Sequence, residues 1–140
     1  MAMLSITLHK NFEILSQESE ASQKDIESIL ERFPQIPSEY LDLIDEVTEI
    51  ELEWNGEQYL RIWHPDGCLE MDEAYDISLH IKGAIPIGDN GGGKVIFYMN
   101  GIENGWGLYL VGFGNLDPED AEYLSSSLTD LLCKGIDRPA

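Results

Sequence analysis

Positive charge is what this chain has least of. Its 140 residues include 8 Lys plus Arg against 27 Asp plus Glu, for a formal net charge of −19. A surface of that sign repels nucleic acid and anionic lipid, so neither is expected as a partner. It attracts basic proteins and speeds the encounter at low salt. Long hydrophobic runs are also missing, and none approaches the ~20 apolar residues of a helical membrane span. The start, Met1-Ala2-Met3-Leu4-Ser5-Ile6, is too short and too polar afterwards for a signal peptide. Cysteine is scarce: Cys68 and Cys133 lie far apart and make no C-x-x-C pair. Two reduced thiols in a cytoplasmic protein are the expectation.

Catalytic and metal-binding signatures are absent in the same way. His9, His64 and His80 are widely separated, and no serine sits in a G-x-S-x-G elbow. Neither cysteine has a paired histidine signature, although a triad is built in space rather than in sequence. No His/Cys cluster has zinc spacing. Asp66-Gly67 and Asp89-Asn90-Gly91 resemble fragments of calcium loops without the ladder of acids and the distal Glu. Among 27 acids some pair always resembles glycosidase carboxylates, so that signal carries no weight. No enzymatic activity, metal or cofactor is expected. An enzyme would need a pocket that gathers His64 or a cysteine with polar partners.

The most informative stretch is Ile85-Pro86-Ile87-Gly88-Asp89-Asn90-Gly91-Gly92-Gly93-Lys94. Gly88 to Lys94 fits G-x-x-x-x-G-K, most of a phosphate-binding loop. The next residue is Val95 where such a loop needs Ser or Thr for the metal. A helix must also follow, so that its free N–H groups meet phosphate. Val95-Ile96-Phe97-Tyr98 instead reads as a strand. The favoured reading is a sharp glycine corner between two strands.

Periodicity places the remaining elements. Residues 1–20 read as a loosely docked helix through Leu8, Phe12 and Leu15, with a short strand at Ile6-Thr7-Leu8 as the alternative. In Ser22 to Phe33, Ile26, Ile29, Leu30 and Phe33 make one apolar helix face. Ser22 is its N-cap, Asp25 lies in its first turn and Pro34 ends it. Pro37 opens a second helix. Tyr40, Leu43, Ile44 and Val47 line one side of it, and Glu39, Asp42 and Glu46 the other.

Thr48 to Trp54 alternates as a strand, with Ile50, Leu52 and Trp54 on one face and Glu49, Glu51 and Glu53 on the other. Asn55-Gly56 signals a hairpin to Tyr59–Trp63. A two-residue turn would place Leu60 opposite Glu51 and mix the faces, so a bulge or longer loop is expected. His64-Pro65-Asp66-Gly67 breaks the chain, and a short helix follows over Leu69–Ile77. Lys94–Met99 and Gly107–Phe113 are strands. A last helix begins at Asp117-Pro118-Glu119-Asp120, with Ala121, Leu124, Leu128, Leu131 and Leu132 as its core stripe. Lys134 and Gly135 close it. The whole, residues 1–140, reads as a single α+β domain.

Acids concentrate between Arg32 and Arg61, where no basic residue falls. Glu49, Glu51 and Glu53 are about 7 Å apart along one strand face. Close like charges are costly, so the stripe is either a solvated face or a surface kept for use. A second cluster is Asp66, Glu70, Asp72, Glu73 and Asp76. A third, Asp117, Glu119, Asp120 and Glu122, is explained by helix capping. Trp54, Tyr59 and Trp63 read as hairpin core. Trp106, between Gly105 and Gly107, is the better candidate for an exposed contact.

Three features, in their order and spacing, resemble the SUKH superfamily, the Smi/Knr-like group. They are Ile36-Pro37-Ser38-Glu39-Tyr40 opening the second helix, Asn55-Gly56 after it, and Ile85 to Gly93 leading into a strand. The resemblance is strongest over residues 22–134. Two departures stand out: Lys94 where an acid often follows the glycines, and the acidic strand before Asn55. The resemblance implies N-terminal helices packed on a mostly antiparallel sheet, with a C-terminal helix. It also implies a non-enzymatic bacterial immunity protein that neutralises a cognate toxin domain, often a nuclease. The alternative is an intracellular regulatory or scaffold domain without a toxin partner. The expected partner is a basic toxin domain, met by Asp42, Glu46, Glu49, Glu51, Glu53 and Trp106. Changing Glu49, Glu51 and Glu53 together to Gln is then expected to slow association and flatten its salt dependence. An unchanged association rate constant refutes that placement.

Overall fold

The alternation of Thr48–Trp54 does form a strand, with Thr48, Ile50, Leu52 and Trp54 buried and the three glutamates between them half-buried. In the computed structural model, which describes residues 5–136, this strand is the second of seven. The elements are β1 (Phe12–Glu18), α1 (Gln23–Arg32), α2 (Ser38–Ile44), β2 (Thr48–Trp54), β3 (Gln58–Ile62), α3 (Pro65–Tyr75) and α4 (Ile77–His80). Then follow β4 (Ile85–Asp89), β5 (Lys94–Gly101), β6 (Gly105–Gly112), a 3₁₀ turn (Pro118–Asp120), β7 (Glu122–Ser125) and α5 (Leu128–Lys134). The strands form one antiparallel sheet in chain order, β1 to β7.

Register sorts the side chains into two faces. One row across the sheet is Ile50, Ile62, Gly88, Ile96 and Leu110; the next is Glu51, Arg61, Asp89, Val95 and Val111. Successive residues of a strand point to opposite faces. The second row and its neighbours Glu53 and Tyr59 therefore oppose the isoleucine face. The Asn55-Gly56 hairpin closes with Trp54 opposite Gln58 around a three-residue loop, and Asn55 and Gly56 both take positive φ, 54° and 72°. The longer loop keeps Leu52 opposite Leu60, so apolar residues share a face as the pattern requires.

Helices cover both faces of the later strands. All five residues of β4 are buried, as are Val95–Met99 and Gly107–Val111. The isoleucine face carries α5, whose end places Gly135 against the Trp54 ring. The opposite face carries α3: Gly67 lies against Trp63, and Tyr75 packs at 4.7 Å on Phe113, which stacks on Trp63. Buried Asp72 fastens this layer. It accepts from Arg32 of α1 at 2.7 Å and from the Ser78 N–H and hydroxyl of α4 at 2.7 and 2.8 Å.

Four expectations need correction. The helix over residues 1–20 is instead strand β1 at Phe12–Glu18, paired with β2 through two bulges; Met1–Leu4 lie outside the described residues. The local spacing of Leu8, Phe12 and Leu15 was overridden by the free edge of β2, which a strand can satisfy and a helix cannot. The helices are not gathered at the N-terminus: α3 and α4 fall between β3 and β4. The last helix starts ten residues late. Pro118–Asp120 is one 3₁₀ turn, and Glu122–Ser125 pairs with β6 before Ser127 caps α5. Its Leu128, Leu131 and Leu132 are buried, whereas Ala121 and Leu124 are half-buried outside it. Similarly, α3 begins at Pro65 rather than Leu69, because His64 caps it.

Helix α1 forms as read, with a full capping box between Ser22 and Asp25. The Ser22 N–H, and next its hydroxyl, hold the Asp25 carboxyl below its ordinary value of 3.8; burial opposes them and His64 adds to them. The unfolded chain therefore takes up this proton at higher pH than the folded one. Stability from Asp25 is full above about pH 4 and is lost as pH falls through the lowered value. Asp25→Asn should lower stability at pH 7 and weaken its dependence on pH below about 4, measured by urea denaturation across that range.

Candidate functional site

Each residue of the glycine corner is fixed by a contact. Buried Asp89 accepts from the Trp63 indole N–H at 2.7 Å, from Arg61 Nε at 3.1 Å and from the Gly91 N–H at 2.8 Å. Asn90 Oδ1 accepts from the Gly92 and Lys94 N–H groups at 2.9 and 3.1 Å. Gly88 crosses so close to β3 that a Cβ would strike the Arg61 carbonyl, and Gly91 and Gly93 have φ of +74° and +89°. Three amides that would face phosphate in a nucleotide loop are thus already engaged by the corner's own side chains. Lys94 lies in an ion pair with Glu122 of β7. The corner borders an open cleft of about 800 Å³, with Tyr59, Arg61 and Leu110 among its walls.

The other residues of the family resemblance are also fasteners. Glu39 accepts from the Tyr98 hydroxyl at 2.7 Å and from the Leu128 and Thr129 N–H groups at 2.8 and 2.9 Å. It joins α2 to β5 and caps α5, where a carboxylate is favoured. The buried Tyr40 hydroxyl donates to the Trp63 carbonyl at 2.7 Å and lies 3.2 Å from Cys68 Sγ. Burial pushes the Cys68 thiol up to about 12, so it stays protonated near neutral pH and is a poor nucleophile.

His64 has a defined role. Its Nδ1 accepts the Asp66 N–H at 2.9 Å as the cap of α3. The proton therefore sits on Nε2, which lies 3.1 Å from Asp25 Oδ2 and donates to it. Asp25, His64 and Asp66 are close enough to be weighed as metal ligands. The two carboxylates meet different ring nitrogens, however.

The six residues expected to meet a partner do not form one surface. Glu49 takes φ 45° in the bulge of β2, and its Oε2 accepts the His64 N–H at 2.6 Å. It is held at the start of α3. Glu51 accepts the Tyr59 hydroxyl at 2.6 Å and sits opposite Arg61. Glu53 lies beside Tyr59 and faces Glu13 of β1. Asp42 and Glu46 are elsewhere: with Leu43, Leu128 and Leu132 they line a cavity of about 440 Å³ between α2 and α5. Glu46 also accepts from Ser5. Trp106 is 46% exposed and stacks on Tyr98, with centroids 5.7 Å apart and planes 9° apart. The bulge that diverts Glu49 leaves no mark in a simple alternating pattern. Because Glu49 supports α3, the triple glutamine change would mix stability with binding, and Glu51→Gln with Glu53→Gln is the cleaner variant.

No protein-family model matches the chain, and no curated protein matches it significantly. The likeness to SUKH domains stands on the motifs quoted above.

Gly88→Ala and Asp89→Ala should each cost about 2–4 kcal/mol, the first by a backbone collision and the second by leaving buried donors unmet. Urea denaturation measures both. Millimolar ATP with magnesium should leave the thermal midpoint of the wild type unchanged. A midpoint that climbs with ligand concentration restores the phosphate-cradle reading.

Proposed function

We propose that this chain is a SUKH-type immunity protein, which binds a basic toxin domain and blocks it by occupying its surface. The observation that carries this reading is how the few cations are placed. Among the described residues, Arg32, Arg61, Lys94 and Lys134 are ion-paired with the chain's own Asp72, Asp89, Glu122 and Asp130. The excess of carboxylates therefore dominates the outer field. That field draws in a basic partner, and the encounter weakens as salt screens it. In the cell the partner's own substrate-binding cleft, if it handles nucleic acid, is basic for the same reason. The resemblance supplies the toxin class; the charge supplies the sign.

The test is co-expression with the product of the neighbouring reading frame. The expected result is a stable complex, rescue from growth arrest, and an association rate that drops roughly tenfold or more between low and high salt. Failure of rescue together with absence of a complex overturns the immunity reading and favours the regulatory one.

A further inference from the structure

We infer that the tip of the β5–β6 hairpin, anchored by Trp106, is the surface on which a basic protein docks, with α2 as its acidic rim. The inference rests on the proposed protein-binding function and says where it resides.

The first support is exposure on a rigid frame. Ile102 is 92% exposed and Trp106 46%, whereas Trp54 and Trp63 are 8% and 2% exposed. Trp106 is thus the open indole of the chain. The hairpin beneath is paired without a register shift from Lys94↔Gly112 to Gly101↔Gly105. The ring lies flat on Tyr98, which is fully buried. A large aromatic held in place before binding loses little freedom on contact, which is what an interface anchor needs.

The second support is connectivity to the acids of α2. Tyr98 donates to Glu39, so the ring under Trp106 is bolted to the first turn of α2. Asp42 follows Glu39 at the helical spacing i+3 and shares its side of the helix, and Glu46, just past the end of α2, lines the same cavity as both. Asp42 is exposed, as is Glu103 at the hairpin tip. Trp106 shares the isoleucine face of the sheet through its pairing with Asn100, two residues on from Tyr98. Glu51 and Glu53 lie on the other face.

The third support is charge, which selects the occupant. No basic residue occurs in α2 or between Val95 and Gly112. A second copy would bring the same sign to the surface and be repelled. A partner bearing arginine or lysine fits, because its cation can lie over the open indole while neighbouring carboxylates meet its remaining donors.

Nona-arginine peptide is a defined probe for this chemistry. Titrated into the ¹⁵N-labelled protein at low salt, it should bind saturably and shift the Trp106 indole N–H and the amides of Ile102, Glu103 and Asp42 most. Trp106→Ala should weaken it roughly two- to fivefold, as expected for loss of a cation–π contact. Trp106→Phe, which keeps a ring over Tyr98, should fall between. Ile102→Ser, at a side chain outside the core, should weaken binding without moving the thermal midpoint. Shifts centred on Glu51 and Glu53, or an unchanged affinity for Trp106→Ala, overturn the location and leave the protein-binding reading intact. Absence of any saturable binding counts against both.

Discussion

The sheet is narrowest between β3 and β4, where two residue pairs and the Trp63 N–H to Ile87 carbonyl bond of 2.8 Å join its halves. The side chain of Asp89 holds that seam. A buried carboxylate is costly unless every oxygen finds donors. Here it meets a guanidinium, an indole and a backbone amide. Those three donors belong to β3, to the residue after it and to the glycine corner, so one group sets strand pairing, the seat of Trp63 and the turn into β5. The corner's glycines follow from the same constraint. The backbone must pass close to Arg61 and then reverse with positive φ, which side chains resist.

The same chemistry recurs at α1, α3, α4 and α5. Glu39 caps α5, Glu49 meets the start of α3, Asp25 closes the box of α1, and Asp72 gathers α1, α3 and α4. In so acidic a chain, part of the negative charge is therefore internal structure, with backbone N–H groups supplying the positive ends. This divides the carboxylates by role. Those that accept from the backbone support the fold, and their removal tests stability. Those on exposed residues, such as Asp42 and Glu103, shape the outer field, which the proposed partner would meet.

Much of this was legible from residue patterns because the signals were local. Ser22 with Asp25 marks α1, the alternation of Thr48–Trp54 marks β2, and mixed faces demand a loop longer than two residues before β3. Asp89–Gly93 reads as a corner because no helix follows it. The failures share a cause as well. β1 exists because β2 has an edge to satisfy, and β7 exists because β6 does; neither need is visible within the segment that answers it. Asp117-Pro118 is a sound cap signal, yet it opens only a single 3₁₀ turn, because the strand pairing of Glu122–Ser125 prevails. For the candidate surface, residue identities were readable but their grouping was not. Glu49 is separated from Glu51 by a bulge, and Asp42 from both by the sheet itself.

A likeness carried by Glu39, Tyr40, Asn55, Gly56 and the corner residues is a likeness of fasteners. Each has a structural duty here: a helix cap, a buried hydroxyl bond, a positive-φ turn, a carboxylate seam. Residues of that kind can specify a framework without specifying what it touches. On the proposed protein-binding function, recognition then resides in side chains that the framework leaves open. On one side these are Trp106 and Ile102, beside α2. On the other they are Glu51 and Glu53, already turned toward Tyr59, Arg61 and Glu13. The first group joins an apolar anchor to acids with no basic neighbour in its own elements. The second has acids with Arg61 among them. A basic partner gains more from the first, since there it loses no charge to a resident competitor and buries an indole as well.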